Sequence, residues 1–265
     1  MSKFIFKRGI KNQAFIDALN ELKKDPNSFW SKIVSDKNLF IAIREEYINV
    51  YYKGNSICKL SFQQGSTIGE THYKYLVKPN QNEYVKSENG GIDKKSMNVY
   101  DYFMFSLSEI ESIKKSSLPY AGDEKIGVHS IITKKPNILD VEITFGKEDR
   151  ETDRIDFLSI KDSKLVFYEA KHFSNKEIRS QNTPPVLEQI KKYEVDLIHH
   201  KDEIIESYKL VLENLFALGI AENRIQISCI LSSVINCVKM SIFAVKNIGY
   251  DSNKIFRRRY QNFSI

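Results

Sequence analysis

The residues in this chain whose types and spacing could do chemistry are concentrated at positions 152–173, in the run TDRIDFLSIKDSKLVFYEAKHF. Residues 155–160 and 165–173 are rich in β-branched and aromatic types that suit strands, and Lys161-Asp162-Ser163-Lys164 reads as the turn of a hairpin. With a symmetric turn, Ile160 faces Leu165, Leu158 faces Phe167 and Asp156 faces Glu169 on one side of the ladder, and Lys171 follows on that side. Opposed side chains in such a ladder have Cβ atoms roughly 4.5–5.5 Å apart, so two carboxylates placed there repel. A positive partner is expected between them. Hard oxygen ligands of this kind suit Mg²⁺, with water and substrate phosphate completing its shell. The plain alternative, in a chain that is 28% charged, is a solvated acid pair neutralised by Lys171 or Arg154.

The elements that must position this pair can be read from periodicity. A strand is predicted at 138–145, ahead of the hairpin. After it, Pro184-Pro185 opens a long helical pattern in which Val186, Ile190, Tyr193, Leu197, Ile204, Tyr208, Val211, Leu215 and Leu218 recur at three and four residues. A break is expected near His199–Asp202, and Gly219 stops the pattern. Gln189 and Tyr193, at i and i+4, share a helical face and can reach one ligand together. Further strands are predicted at 225–231 and 241–246. Towards the N-terminus, a helix at 12–24 precedes strand-like runs at 39–44, 47–52 and 56–62, whose short gaps predict a β-meander. Residues 63–101 carry weak signals. A helix is predicted at 102–115, broken by Leu118-Pro119-Tyr120-Ala121-Gly122-Asp123. The predicted class is α/β, a sheet flanked by helices preceded by an α+β N-terminal region, with a boundary that divides the chain into 1–104 and 105–265.

Composition bounds the function classes. The 265 residues are 42% hydrophobic, enough for a sizeable core, and no run approaches the ~18 apolar residues of a membrane span. The first eight residues are too charged and too short for a signal peptide. Three cysteines without CxxC spacing fit a reducing cytoplasm and a packing role. The net charge of +6 fits a polyanion partner without requiring one. No GxxxxGK[ST] loop is present, so any ATP-driven translocation must come from another chain, and a targeting or motor protein is a candidate partner.

The Asp156…Glu169-x-Lys171 hairpin followed by Gln189-x-x-x-Tyr193 resembles the PD-(D/E)xK nuclease superfamily over residues 138–200. Asp156 matches its first acidic position, Glu169 and Lys171 its (D/E)xK element, and Gln189 with Tyr193 the Gln-x-x-x-Tyr of its RecB-like branch. The chain departs from the name-giving pattern in having Ile155 rather than Pro before Asp156. The resemblance implies a restriction-endonuclease-like core, a central mixed sheet flanked by helices, and Mg²⁺- or Mn²⁺-dependent hydrolysis of DNA phosphodiester bonds leaving 5′-phosphate ends. It implies that Asp156, Glu169 and the main-chain carbonyl of Ala170 hold the metal, and that Lys171 positions a water or helps deprotonate it. A lysine pKa is ordinarily ~10.4, so the second role requires burial and the metal to depress it. A further upstream carboxylate is common in the superfamily, with Glu142 the first choice here and Asp140 the second. The context implied is phage defence, restriction or repair in bacteria, with a homodimer letting two sites cut two strands. The rivals are a non-cleaving binding module on the same fold and an RNA-cleaving nuclease.

Other conspicuous residues bear on binding. Lys191 and Lys192 beside Gln189, and the tail cluster Arg257-Arg258-Arg259, suit contacts to a nucleic-acid backbone. Tyr47, Tyr51, Tyr52 and Lys53 are either a base-stacking surface or ordinary strand residues. His172 points away from the acid pair, and adjacent His199 and His200 read as a solvated helix end.

Overall fold

The structure, a computed structural model, describes residues 5–75, 87–88, 91–92, 108–145, 154–161, 164–172, 185–220 and 237–245. Helix α1 (Gln13–Lys24) begins where the Asn12 side chain accepts a hydrogen bond from Ala14 N, buries Phe15, Ile16 and Leu19, and ends on Lys23 and Lys24 at the negative pole of its dipole. Helix α2 (Phe29–Ser35), capped by Ser28, buries Phe29, Trp30 and Ile33. The predicted meander follows as β1 (Phe40–Ile43), β2 (Tyr47–Tyr52) and β3 (Asn55–Gln63), antiparallel and in sequence order. It has a fourth strand that the pattern did not predict, β4 (Ser66–Glu70). Lys53-Gly54 and Gln64-Gly65 both take positive φ, the geometry of two-residue turns whose twist matches the strands they join. A two-residue strand pair, β5 (Ser87–Glu88) and β6 (Gly91–Ile92), comes next.

Helix α3 (Ser108–Ser117) ends in a 3₁₀ turn over Leu118–Tyr120, and α4 (Asp123–Ile132), also unforeseen, starts after Gly122. Then come β7 (Ile138–Thr144), β8 (Arg154–Lys161), β9 (Lys164–His172), α5 (Pro185–His199), α6 (Lys201–Ala217) and β10 (Cys237–Val245). Their sheet has the order β10-β9-β8-β7, with β10 parallel to β9 and the other pairs antiparallel. The protein is thus mixed α/β, with six α-helices among the described residues. The strand predicted at 225–231 lies outside them. No helix among the described residues is long and apolar enough to cross a membrane.

Alternation along the hairpin feeds two cores. Leu158, Ile160, Leu165 and Phe167 join the larger one with Tyr193, Leu197, Tyr208 and residues of α1, α2 and the meander. Phe157 and Ala170 join the smaller one with Val128 and Ile132 of α4 and with Phe40 and Tyr51. The N-terminal segment is tied in by a buried amide: Asn214 of α6 accepts from Ile10 N at 2.7 Å and donates to Ile10 O at 3.0 Å. Lys23 donates to the carbonyls of Leu218 and Gly219 at the end of α6.

One charge sits inside this packing. Asp140 of β7, only 1% exposed, is met by the Arg44 guanidinium on Oδ1, and by Arg8 at 3.3 Å and the Tyr208 hydroxyl at 2.8 Å on Oδ2. Arg44 also donates to Tyr51 Oη at 3.1 Å and to the Val141 carbonyl at 2.6 Å. Burial works against the Arg44 charge, but Asp140 and Tyr51 more than offset it and hold the guanidinium ionised. Burial and the Asp140 carboxylate push the Tyr208 hydroxyl well above its ordinary value. Asp140, the second choice for an upstream carboxylate, has both oxygens engaged by its own partners, and of the two readings of Tyr51 the structure shows the buried strand residue. Tyr52 likewise packs against His129, with the Lys114 ammonium 5.2 Å from its ring.

Breaking a buried ion pair by removing one partner costs about 3–5 kcal/mol, whereas replacing the whole group by apolar side chains is far milder. Arg44→Met should therefore lower the unfolding free energy by about 3–5 kcal/mol in urea denaturation, and adding Asp140→Leu should recover part of the loss. A loss below about 1 kcal/mol in the single variant would show that Asp140 does not depend on Arg44.

Candidate active site

The β8–β9 ladder runs from Lys161 opposite Lys164 to Phe157 opposite Tyr168, with Ile160 against Leu165 and Leu158 against Phe167 as the symmetric turn predicts. The next rung would match Asp156 with Glu169, and there the ladder stops. Asp156 Oδ2 instead accepts a hydrogen bond from Ala170 N at 2.5 Å. Glu169 is 3% exposed; its Oε1 lies 3.0 Å from Lys171 Nζ, and its Oε2 is buried with no hydrogen-bond partner. That orphan oxygen is the local anomaly of the site, because an unpaired buried acceptor carries a full desolvation penalty.

The electrostatics follow. Burial raises the Asp156 carboxyl well above the ordinary carboxylate range, and the negative charge of Glu169 adds to it, against the pull of the Ala170 N–H. Glu169 is also raised, by burial first, with Lys171 and the Gln189 side chain opposing and Glu124 adding. Each acid makes the other harder to ionise, so the pair lacks positive charge.

Helix α5 supplies the third side. Gln189 donates to Tyr193 Oη at 2.8 Å, and the Tyr193 hydroxyl donates to the Arg154 carbonyl at 3.2 Å, two residues before Asp156. Tyr193 is buried at 2% exposure, so it fills the apolar stripe and anchors the helix at once.

Glu142 stands in β7 between residues paired with Phe157 and Ile155, which puts it beside Asp156 in register. Its φ of 50° breaks the strand alternation at this position. This separates Glu142 from Asp140, which the two-residue period places on one face. Glu142 reaches Arg154 at 3.3 Å, and its charge also raises Asp156. Glu124, in the first turn of α4, accepts from His172 N at 2.7 Å and acts on both Asp156 and Glu169. Sequence reasoning missed it; the signal was Gly122 followed by two acids, a helix start that favours negative charge.

Among the described residues no three His, Cys, Asp or Glu side chains already form a metal-holding group. Asp156 and Glu169 with the orphan oxygen nevertheless fit a hydrated hard cation, which takes one or two carboxylates and completes its shell with water. Lys191 and Lys192 lie exposed on α5, and Arg257, Arg258 and Arg259 lie outside the described residues. The solvated-end reading of the histidine pair is corrected for His200, which is 9% exposed, stacks on Phe145 and lies 2.7 Å from Glu203 through Nδ1. Comparison of the chain with protein-family models, with curated proteins and with solved structures returns no match in any of the three.

Both acids bind protons more tightly folded than unfolded, so ionising them costs stability. The cost is absent below their ordinary values of 3.8 and 4.5 and grows as pH rises through the interval up to the folded values. In EDTA at pH 7, Asp156→Asn should melt above the unmodified protein, by about 2–4 °C for each kcal/mol relieved, and the gap should close as the pH falls towards 4. Equal melting temperatures at pH 7 would show that the two acids are not in conflict.

Proposed function

We propose that this chain is a Mg²⁺-dependent nuclease of the PD-(D/E)xK type that hydrolyses phosphodiester bonds in DNA. The observation that carries the reading is buried Glu169 beside half-buried Asp156, with one Glu169 oxygen unpartnered and the Lys171 ammonium 3.0 Å from the other. A sheet of order β10-β9-β8-β7, with the acids on its two central strands and helices in the β9–β10 crossover, supports a restriction-endonuclease-like core.

Asp156 and Glu169 would hold Mg²⁺ or Mn²⁺, with the Ala170 carbonyl and Glu142 as further ligands. When bound, such an ion would lower the pKa of a coordinated water and polarise the scissile phosphate. Lys171 brings a cation to the edge of the acid pair, where it can orient a water or meet phosphate oxygen. The bond from Tyr193 to Arg154 fixes α5 against β8, and the Gln189 amide is held by Tyr193 on the side of the helix that acts on Glu169. Glu124 pins the end of β9 through His172 N. Lys191 and Lys192 meet the backbone beyond the cleaved bond. Water adds across the bond and leaves a 5′-phosphate and a 3′-hydroxyl. In a reducing cytoplasm such an enzyme would serve phage defence, restriction or repair, as a homodimer where both strands are cut, with any motor or targeting function on another protein.

Purified protein should nick supercoiled plasmid in Mg²⁺ and stop in EDTA. Glu169→Ala should lose at least ~100-fold of the rate while still retaining DNA in a gel shift. An equal amount of RNA digested in parallel separates the two substrates. Cutting that needs no metal and survives loss of both Asp156 and Glu169 would overturn the mechanism, and binding without any cutting would make the chain a recognition module.

A further inference from the structure

The 3₁₀ turn Leu118–Tyr120 displays two large apolar side chains to solvent, Leu118 at 42% and Tyr120 at 50% exposure. Tyr120 is backed edge-on by buried Tyr75, with ring centroids 5.8 Å apart. The Lys74 ammonium lies 4.9 Å from the Tyr75 ring and 4.8 Å from the Tyr120 ring, and among the described residues no carboxylate pairs with it. Exposed Lys115 and Lys125 flank the turn on either side.

The turn is held firmly. Asn55, buried at the start of β3, donates to the Ser117 carbonyl at 3.0 Å. The β2–β3 turn lies so close to α4 that a Cβ on Gly54 would come within 2.6 Å of Lys125 Cβ. The meander therefore fixes where the aromatic turn stands. Four residues separate Tyr120 from Glu124, a span of at most about 14 Å, and the Glu124 carboxylate binds His172 N, next to Lys171.

We infer that Tyr120, backed by Tyr75 and Lys74, is a stacking platform for an unpaired base, so that the chain takes single-stranded or locally opened nucleic acid beside the acid pair. The inference rests on the nuclease reading of that pair. A duplex hides the faces of its bases and meets a protein surface mainly through phosphates, so an exposed ring gains little from it. An unpaired base offers a π-face to the tyrosine while its neighbouring phosphates meet the lysines, which is the arrangement of aromatics and cations that grips single strands.

The test measures binding without cutting. In a Glu169→Gln background, fluorescence anisotropy compares a labelled single-stranded DNA, the RNA of the same sequence and the blunt duplex. Tyr120→Ala and Tyr120→Leu should each weaken single-strand binding at least about 5-fold, the low end of what base stacking on an aromatic gives, while Tyr120→Phe retains it and duplex binding is unchanged. Circular dichroism melts check that each variant is folded, and Tyr120→Leu keeps apolar bulk on the turn should Tyr120→Ala unfold. Loss on DNA or on RNA identifies the sugar preferred. Unchanged single-strand binding, or equal loss on single strand and duplex, overturns the platform. Plasmid nicking by the unsubstituted protein is scored separately: a chain that stacks single strands but nicks nothing keeps the platform and loses the nuclease reading.

Discussion

The buried Asp140 carboxylate sets the terms on which the rest of the molecule is built. A charge at 1% exposure is tolerable only with close, oriented partners, and its partners come from three distant parts of the chain: Arg8 near the N-terminus, Arg44 after β1 and Tyr208 in α6. Satisfying one side chain thus fixes the meander, the N-terminal segment and α6 around β7. Because β7 is paired with β8, the same constraint decides where Asp156 stands.

The two acidic centres answer the same physics in opposite ways. Asp140 has every oxygen engaged and its charge is compensated, so its role ends in architecture. Half-buried Asp156 and buried Glu169 stand side by side with one lysine and an unpartnered oxygen, and each carboxyl is held above its ordinary range.

What was legible in the sequence was local. The hairpin register, the pairing of Leu158 with Phe167 and the i, i+4 relation of Gln189 and Tyr193 follow from two-residue and helical periods that a short window contains. What was not legible depended on distant partners or on broken periods. Asp140 and Glu142 look equivalent until a positive φ at Glu142 and an arginine 96 residues from Asp140 separate them. Glu124 reaches the site only through the fold of α4, and β4 is a short strand whose pattern carries little hydrophobic alternation. Tyr51 stays open between a stacking surface and a strand residue in sequence, because nothing near it announces the guanidinium it faces.

Asn214 closes a clasp on Ile10 across 204 residues, and Lys23 caps the same helix end. Chains emerge from the ribosome N-terminus first, at roughly 5–20 residues per second. Arg44 and the Ile10 segment must therefore wait many seconds in an incomplete state, their buried partners not yet made. The clasp closes only once α6 has been made, and a nascent chain stalled before α6 leaves the N–H and carbonyl of Ile10 without the Asn214 amide.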